Sequence, residues 1–461
     1  MKILEIAKKF LEKNQPELAL ERLKKILYEK NFLDEWKIHE LIGACFHDLA
    51  NAEGAAQAYL NAAQTDKILR SQQQHFSNYL FALHYLNVDE KILFETAKIY
   101  NSLYRDVEKF PEKNISQEKI HVAFISTHFL DSSAARFFEI LLTDYDKNKF
   151  FVSAWSLSSR EDNFTKKIRQ SVDKFFSFDE INFYEIAEKI FAENVQILID
   201  LSGHTDGGET LQILSYKPAK IQISAIGYFD TTGADFIDYF LTDKFLIDGN
   251  EKNFTEKILT IENAFAFQPN EKMIFAKKNL KKIPHKNFIF GCLNNFMKIS
   301  EEYLHCVKKI LDGVKNSKII FRDTTPLFSR KIELEKKILS AGIKNFEIRV
   351  GEDNFFDDYG EIDLILDTFP YNGGLMTALA IYFEVPVLNL IGDKHFSRIG
   401  ADILRISGLE NFIASDEENF IKKAVEFSKK PARKIFSEKL FDTKNFLKNF
   451  YEKIDNLSTR I

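Results

Sequence analysis

Residues 363–400 read DLILDTFPYNGGLMTALAIYFEVPVLNLIGDKHFSRIG. Ile362, Leu364, Ile365 and Leu366 form an apolar run too short for a helix and suited to a strand buried on both faces. Asn372, Gly373 and Gly374 break the chain, and the pattern predicts a helix beginning near Leu375. Val385 to Leu390 reads as a second buried strand, and Gly392 opens a polar turn into another helix. Strand, turn and helix repeated in this order is the unit of a parallel α/β sheet. Ligands of such sheets gather beyond the carboxyl ends of the strands, where helix N-termini beside glycine turns offer unpaired N–H groups to an anion. On this stretch alone, ordinary turns of an α/β domain explain the pattern about as well. The rest of the chain has to decide.

The chain has 461 residues, enough for about three structural units at roughly 150 residues each. Its formal charge of −5, with 28% charged residues, predicts no strong field for nucleic acid or an anionic membrane. No apolar run approaches the roughly 20 residues that a membrane-spanning helix needs, and no basic amphipathic membrane-binding helix stands out. The amino-terminal stretch MKILEIAKKFLEKNQPE is basic, but Lys and Glu interrupt its apolar residues, so it does not read as a signal peptide. Cys45, Cys292 and Cys306 are odd in number and far apart, which fits reduced thiols and a cytoplasmic location.

Residues 1–105 read as wholly helical and contain a repeat. Ala7, Phe10, Asn14, Ala19, Leu23 and Ile26 have spacings that recur 36 residues later in Gly43, Phe46, Ala50, Ala55, Tyr59 and Ala62. Small residues at the first and fourth positions let paired helices approach, and larger ones fill the seam. This resembles tetratricopeptide repeats, with a generic helical hairpin as the plainer reading. Residues 106–119 are polar, include Pro111 and read as a linker. From His121 onward strands and helices alternate: strands at 122–126, 150–157, 196–201, 220–227 and 238–243, then a second series at 288–294, 318–321 and 346–350 that leads into the opening stretch. The expectation is two Rossmann-like domains, 120–280 and 281–461, facing a cleft in the GT-B manner behind an all-α region.

The dense stretch of the first half is DLSGHTDGGETLQILSYKPAKIQISAIGYFDTTGADFIDYFLTD, 200–243. It places His204 on a glycine-framed loop at a strand end, where a general base would face the cleft; a hydrogen-bonded loop histidine is the plainer reading. Tyr228, Thr231 and neighbouring residues stand at another strand end. Asp144 and Asp146 form the only Asp-x-Asp, in a helix-to-strand connection, and read as a solvated turn; no metal is expected.

The GHT loop, KPAKIQISAIGYFDTTGADFIDYFLTD, GCLNNFMKIS, LDTFPYNGG and GDKHFSRIGADIL together resemble the O-linked N-acetylglucosamine transferase family, with its plant SPINDLY branch and bacterial relatives closest. The similarity spans about 120–430, with the motifs in the family's order. It implies a nucleotide-diphosphate sugar donor carrying uridine or guanosine, no metal or other cofactor, and inverting transfer to Ser or Thr hydroxyls of an acceptor protein, which the helical region would hold. Lys298 matches the family lysine that contacts the diphosphate, and the turn Asn372, Gly373 and Gly374 supplies amides. Asn294, Asn295, His395 and Arg398 are further donor-side candidates. Negative charge building on the departing phosphate needs such fixed cations and N–H groups.

The sequence also departs from the family. Ser132 stands where relatives carry a histidine in the loop after the first strand, with His128 four residues earlier as a rival to His204. Phe355 replaces a histidine of the base pocket, though it can still stack on a nucleobase. Leu375 and Met376 replace hydroxyl residues, and Leu379 replaces an acidic one. The runner-up reading is therefore a protein-binding scaffold that keeps the fold after losing donor chemistry.

Overall fold

The structure, a computed structural model, describes residues 2–28, 34–431, 435 and 437–459. Six helices open the chain: α1 (Lys2–Glu12), α2 (Pro16–Tyr28), α3 (Glu35–Asp48), α4 (Ala52–Thr65), α5 (Leu69–Leu83) and α6 (Glu90–Asn101). The sequence repeat is geometric as well as compositional. Asn14 and Ala50, its third positions, are both left-handed, with φ of 56° and 55°. Each is followed by the same return bond, Gln15 N–H to Phe10 O at 2.9 Å and Asn51 N–H to Phe46 O at 2.8 Å. In the second hairpin a side chain on Gly43 would run into the Tyr59 ring, so the small residue is what lets α3 and α4 close.

The first sheet has seven parallel strands: β1 (Ile120–Ser126), β2 (Phe150–Ser156), β3 (Lys174–Ser177), β4 (Ile197–Asp200), β5 (Ile221–Ser224), β6 (Tyr239–Asp243) and β7 (Lys257–Ile261), in the order β3-β2-β1-β4-β5-β6-β7. The second has six: β8 (Ile289–Cys292), β9 (Lys318–Asp323), β10 (Phe346–Val350), β11 (Leu364–Leu366), β12 (Val387–Leu390) and β13 (Ile413–Ala414), in the order β10-β9-β8-β11-β12-β13. Both are doubly wound. Their strand order reverses between β1 and β4 and between β8 and β11, the places where open α/β sheets bind ligands. β3, β7 and β13 lie outside the strands expected from sequence: each is short, at or near a sheet edge, and lacks a long apolar run.

Contacts divide the chain into two compact units, one of Met1–Asp66, Ala82–Val88 and Pro269–Lys439, the other of Lys67–Phe81, Asp89–Gln268 and Leu440–Ile461. The helices of the opening region are thus shared out. In the first unit, Arg330 and Lys337 from the helix Phe328–Ser340 donate to the carbonyls of His47 and Ala50, both at 3.2 Å, which ties the α3–α4 turn to the second sheet's layer. In the second unit, Tyr100 and Tyr104, from α6 and the turn after it, join the core of the first sheet. The last helix, Thr443–Ser458, expected with 281–461, packs on the first sheet instead. Tyr451 donates to Leu141 O at 2.6 Å, Lys149 pairs with Asp455 at 2.6 Å, and Phe450 stacks over Phe124. No helix among the described residues is long and apolar enough to cross a membrane.

Candidate active site

The opening stretch builds its site around a carboxylate that motif reading passed over. Asp367 follows β11 at the switch point and is buried. Its Oδ1 accepts from Asn294 Nδ2 at 2.8 Å and from the amides of Thr368 and Gly373 at 2.9 Å; its Oδ2 accepts from Asn389 Nδ2 at 2.8 Å and Thr377 Oγ1 at 3.1 Å. Burial pushes this carboxyl up, and the Gly373 amide, Asn389, Asn294 and Lys298 pull it back. Five donors, from the ends of β8 and β11, from β12, from the glycine turn and from the helix it opens, make Asp367 the hub that fixes the glycine turn. A Cβ on Gly373 would lie 2.7 Å from Asn294 Oδ1, and one on Gly400 would strike Asn389 and Asp367, so only glycine lets the turn and the start of the Ile399–Ile406 helix close on the hub.

Two helices start beside this hub, Leu375–Tyr382 and Ile399–Ile406, each without a side-chain cap at its first turn. Their leading N–H groups carry partial positive charge that an anion could meet. Lys298, in the short helical turn after β8, points its Nζ to Asn372 O at 2.7 Å and sits 3.8 Å from the centre of the Tyr371 ring. Burial lowers this ammonium to about 8, with the Asp367 charge opposing the fall. It is a half-buried cation on a glycine turn, still mostly protonated at neutral pH. The Oδ1 of Asn372 is buried without a hydrogen-bond partner among the described residues.

The remaining donor-side candidates divide. Asn294 serves the hub. Asn295 caps the turn of Lys298 through Met297 N–H at 2.9 Å and accepts from Arg330, which also grips Asp323. Phe355 is buried, edge-on to Tyr359, rather than offering an open face. His395 is buried in the turn before the second helix, and Arg398 is half-buried at that helix's start. Leu379 is buried; Leu375 and Met376 are half-buried at the mouth of the first helix.

In the other unit the two histidines differ sharply. His204 lies beyond β4, as expected, but its ring is sealed, with 0% of the residue exposed. Nε2 bonds to the Thr232 carbonyl at 2.9 Å, so it carries the proton, and Nδ1 meets the Ser77 hydroxyl of α5 at 2.7 Å. Tyr100 and Tyr228 close over it edge-on. The ring pins helices of the opening region to the sheet, an outcome that the open-looking GHT loop did not signal. Tyr228 and Thr231 are buried too, Thr231 donating to Glu256 at 2.7 Å. Ser132 Oγ stands 3.4 Å from Ala135 N–H at the start of the helix Ala135–Thr143.

His128, just past β1 at this sheet's switch point, has a side chain 36% exposed. Thr127 Oγ1 donates to Asp206 Oδ2 at 2.7 Å, and His128 Nδ1 lies 3.2 Å from the same hydroxyl oxygen and 3.7 Å from that carboxylate. Because the hydroxyl proton is spent on Asp206, the oxygen accepts, and Nδ1 is the donor. Nε2 therefore keeps its lone pair. Asp206 was read only as a member of the glycine-framed GHT loop, with no role of its own, and Thr127, between the first strand and His128, was not singled out.

Residues 92–276 match the family model described as Glycosyl transferase family 41. Two plant proteins named "Probable UDP-N-acetylglucosamine--peptide N-acetylglucosaminyltransferase SPINDLY" are similar to this chain: that of Solanum lycopersicum is 25% identical over 371 residues, 76% of this chain and 39% of its own length, and that of Oryza sativa subsp. japonica 26% over 396 residues, 81% and 41%. The chain thus spans less than half the length of the curated relatives it matches. A solved Thermobaculum terrenum O-GlcNAc transferase mutant superposes with a TM-score of 0.72 at 20% identity, covering 99% of this chain and 92% of that one. The resemblance to O-linked N-acetylglucosamine transferases and SPINDLY proteins holds, and the fold is theirs: two parallel GT-B-like sheets with an amino-terminal helical region.

Proposed function

We infer that the chain is an inverting protein O-glycosyltransferase that takes its sugar from a nucleotide diphosphate. The observation that carries the reading is Lys298 at 2.7 Å from the Asn372 carbonyl, a half-buried cation set on the glycine turn where an uncapped helix begins. In the reaction, a Ser or Thr oxygen of an acceptor protein bonds to the anomeric carbon as the bond from that carbon to the diphosphate oxygen breaks. The electron pair leaves with the diphosphate. Lys298 and the first amides of the Leu375–Tyr382 helix meet the charge that develops, so the step calls on no metal and no further cofactor. The hydroxyl proton passes to Nε2 of His128, which Thr127 and Asp206 hold in the receiving tautomer.

The relatives' printed names support a uridine-linked N-acetylglucosamine as donor and a peptide as acceptor. A guanosine-linked sugar remains the other donor of the same chemistry, because Phe355, Leu375, Met376 and Leu379 alter the positions where relatives make polar contacts. The cysteines and the charge balance fit action in a reducing cytoplasm.

The test is a thermal-shift series with uridine, guanosine and cytidine diphosphates, followed by transfer and hydrolysis assays with the sugar nucleotide of whichever binds. One nucleotide should stabilise the chain, and Lys298→Ala should abolish that shift. Absence of any shift, with no turnover of any sugar nucleotide, would leave the scaffold reading in its place.

A further inference from the structure

The connector leading into the second sheet carries a surface that glycosyl transfer does not use. Residues 271–287 read EKMIFAKKNLKKIPHKN, with six lysines against one acidic residue, Glu271, in a chain whose formal charge is −5. The first part is the helix Glu271–Asn279. Met273 anchors it inward. At 100° per residue the opposite face carries Glu271, Ile274, Phe275 and Lys278, with Lys272 at its flank. Phe275 is 70% exposed and Ile274 52%; Ile283, in the extended continuation, is 45% exposed.

Lys277 is tied to Glu384 at 3.5 Å, Lys282 donates to Tyr359 O at 3.0 Å, and His285 lies 3.7 Å from Asp363. Lys272, Lys278, Lys281 and Lys286 have no carboxylate partner among the described residues. Four lysines without a carboxylate partner thus lie on or next in sequence to a crest of exposed Ile274 and Phe275 that carries one carboxylate, Glu271.

Although the net charge predicts no strong overall field and the sequence pattern did not single this helix out, we propose that this crest is a local docking surface for an anionic lipid bilayer. Its charge complements phosphate headgroups. Its protruding Phe and Ile suit insertion at the headgroup level, while the long lysine stems let the charges reach outward. The patch contains no arginine, and its crest is a convex helix face, features that favour a diffuse anionic surface over bidentate recognition of single phosphates. A second exposed apolar stripe, Phe328, Ile332 and Leu339, lies on a helix where Glu333 and Glu335 alternate with Lys331 and Lys336, so it lacks this complementarity.

The experiment is co-sedimentation of the full chain with vesicles of phosphatidylcholine alone or with about a quarter phosphatidylglycerol. Binding to the anionic vesicles should be at least about tenfold stronger and should weaken as salt is raised. Phe275→Ser and the pair Lys278→Glu with Lys281→Glu should each remove most of it, while Phe328→Ser should leave it unchanged; thermal melts of the variants check that each remains folded. Equal binding to both vesicle types, no binding to either, or indifference to Phe275→Ser overturns the proposal. So does equal retention on double-stranded DNA or on polyglutamate, which would mark a general polyanion or acidic-protein surface. Neither result bears on nucleotide binding, so this inference and the transferase reading can fail separately.

Discussion

The two sheets place a buried aspartate at the same topological position and then dress it differently. Asp200 ends β4 and Asp367 follows β11, each beside the strand where its sheet reverses order. Both accept amides of the loop that follows: Ser202 and Gly203 at 2.9 and 3.0 Å for Asp200, Thr368 and Gly373 for Asp367. Burial pushes both carboxyls up, Asp200 to about 6. The shared device is a carboxylate that organises a glycine loop at a strand end. The neighbours differ. Across from Asp367 the adjoining strand end supplies Lys298, a fixed cation; across from Asp200 it supplies Thr127 and His128, a group able to take a proton. In the proposed reaction, one scaffold would thus serve leaving charge at one strand end and acid–base work at the other.

The sharpest way to break that contrast is to remove the cation. Lys298→Ala should lower kcat/KM for transfer roughly hundred- to thousandfold, about 3–4 kcal/mol of transition-state stabilisation. The pH dependence should change with it. Because the Lys298 ammonium is lowered to about 8, a diphosphate finds it charged below that pH and progressively neutral above. Nucleotide-induced thermal stabilisation in the natural protein should fall as pH rises through about 8, and the Ala variant should show no such fall. An unchanged rate would remove Lys298 from the chemistry.

Next in size comes the comparison of the two histidines. His128→Gln should leave stability within about 0.5 kcal/mol, as expected of a half-exposed side chain, yet lower transfer roughly a hundredfold or more. His204→Gln should do the reverse. It costs on the order of 2 kcal/mol, because two buried hydrogen bonds are disturbed, while nucleotide binding by the surviving fold persists. Long-range nitrogen–proton NMR gives a check that needs no substrate. His128 should carry its proton on Nδ1 and His204 on Nε2, and the same tautomer at both would dissolve the distinction.

Much of this was legible in the chain itself. Short apolar runs followed by glycine turns fixed two parallel sheets, because a strand buried on both faces has few other sequence solutions. The spacing that recurs from Ala7 in Gly43 marked the two hairpins, though not the left-handed residues, Asn14 and Ala50, at their turns. Lys298 and Asn372–Gly374 came together as expected, since both follow strands that meet at the switch point. What escaped was the part that depends on neighbours distant in sequence. His204 looked open because nothing local shows that Ser77, Tyr100 and Tyr228 will close on it. Asp206 and Thr127 are unremarkable until β1 and β4 are paired. The terminal helix reads only as amphipathic, and its berth on the first sheet follows from Tyr451 and Phe450 finding Leu141 and Phe124.

The smallest effect tests whether the two aspartates do the same work. Asp200 has a carboxyl raised in the fold to about 6, whereas the unfolded chain titrates it near ~4. A raised acid contributes stability that is fully present below the unfolded value and is lost as pH rises through the folded one. The natural protein should therefore lose stability between about pH 4 and 6, and Asp200→Asn should lack that component. The difference in unfolding free energy between the two proteins should move in the variant's favour across this window by on the order of 2 kcal/mol, then level off. Measuring the difference, rather than either curve, cancels the other carboxylates that titrate in the same range. Asp367→Asn should drift in the same direction, because burial raises that carboxyl too, against the opposing pull of the Gly373 amide, Asn389, Asn294 and Lys298. A drift of opposite sign at either position would mean that the carboxylate is stabilised as a charge by its loop, and the equivalence of the two strand ends would fail.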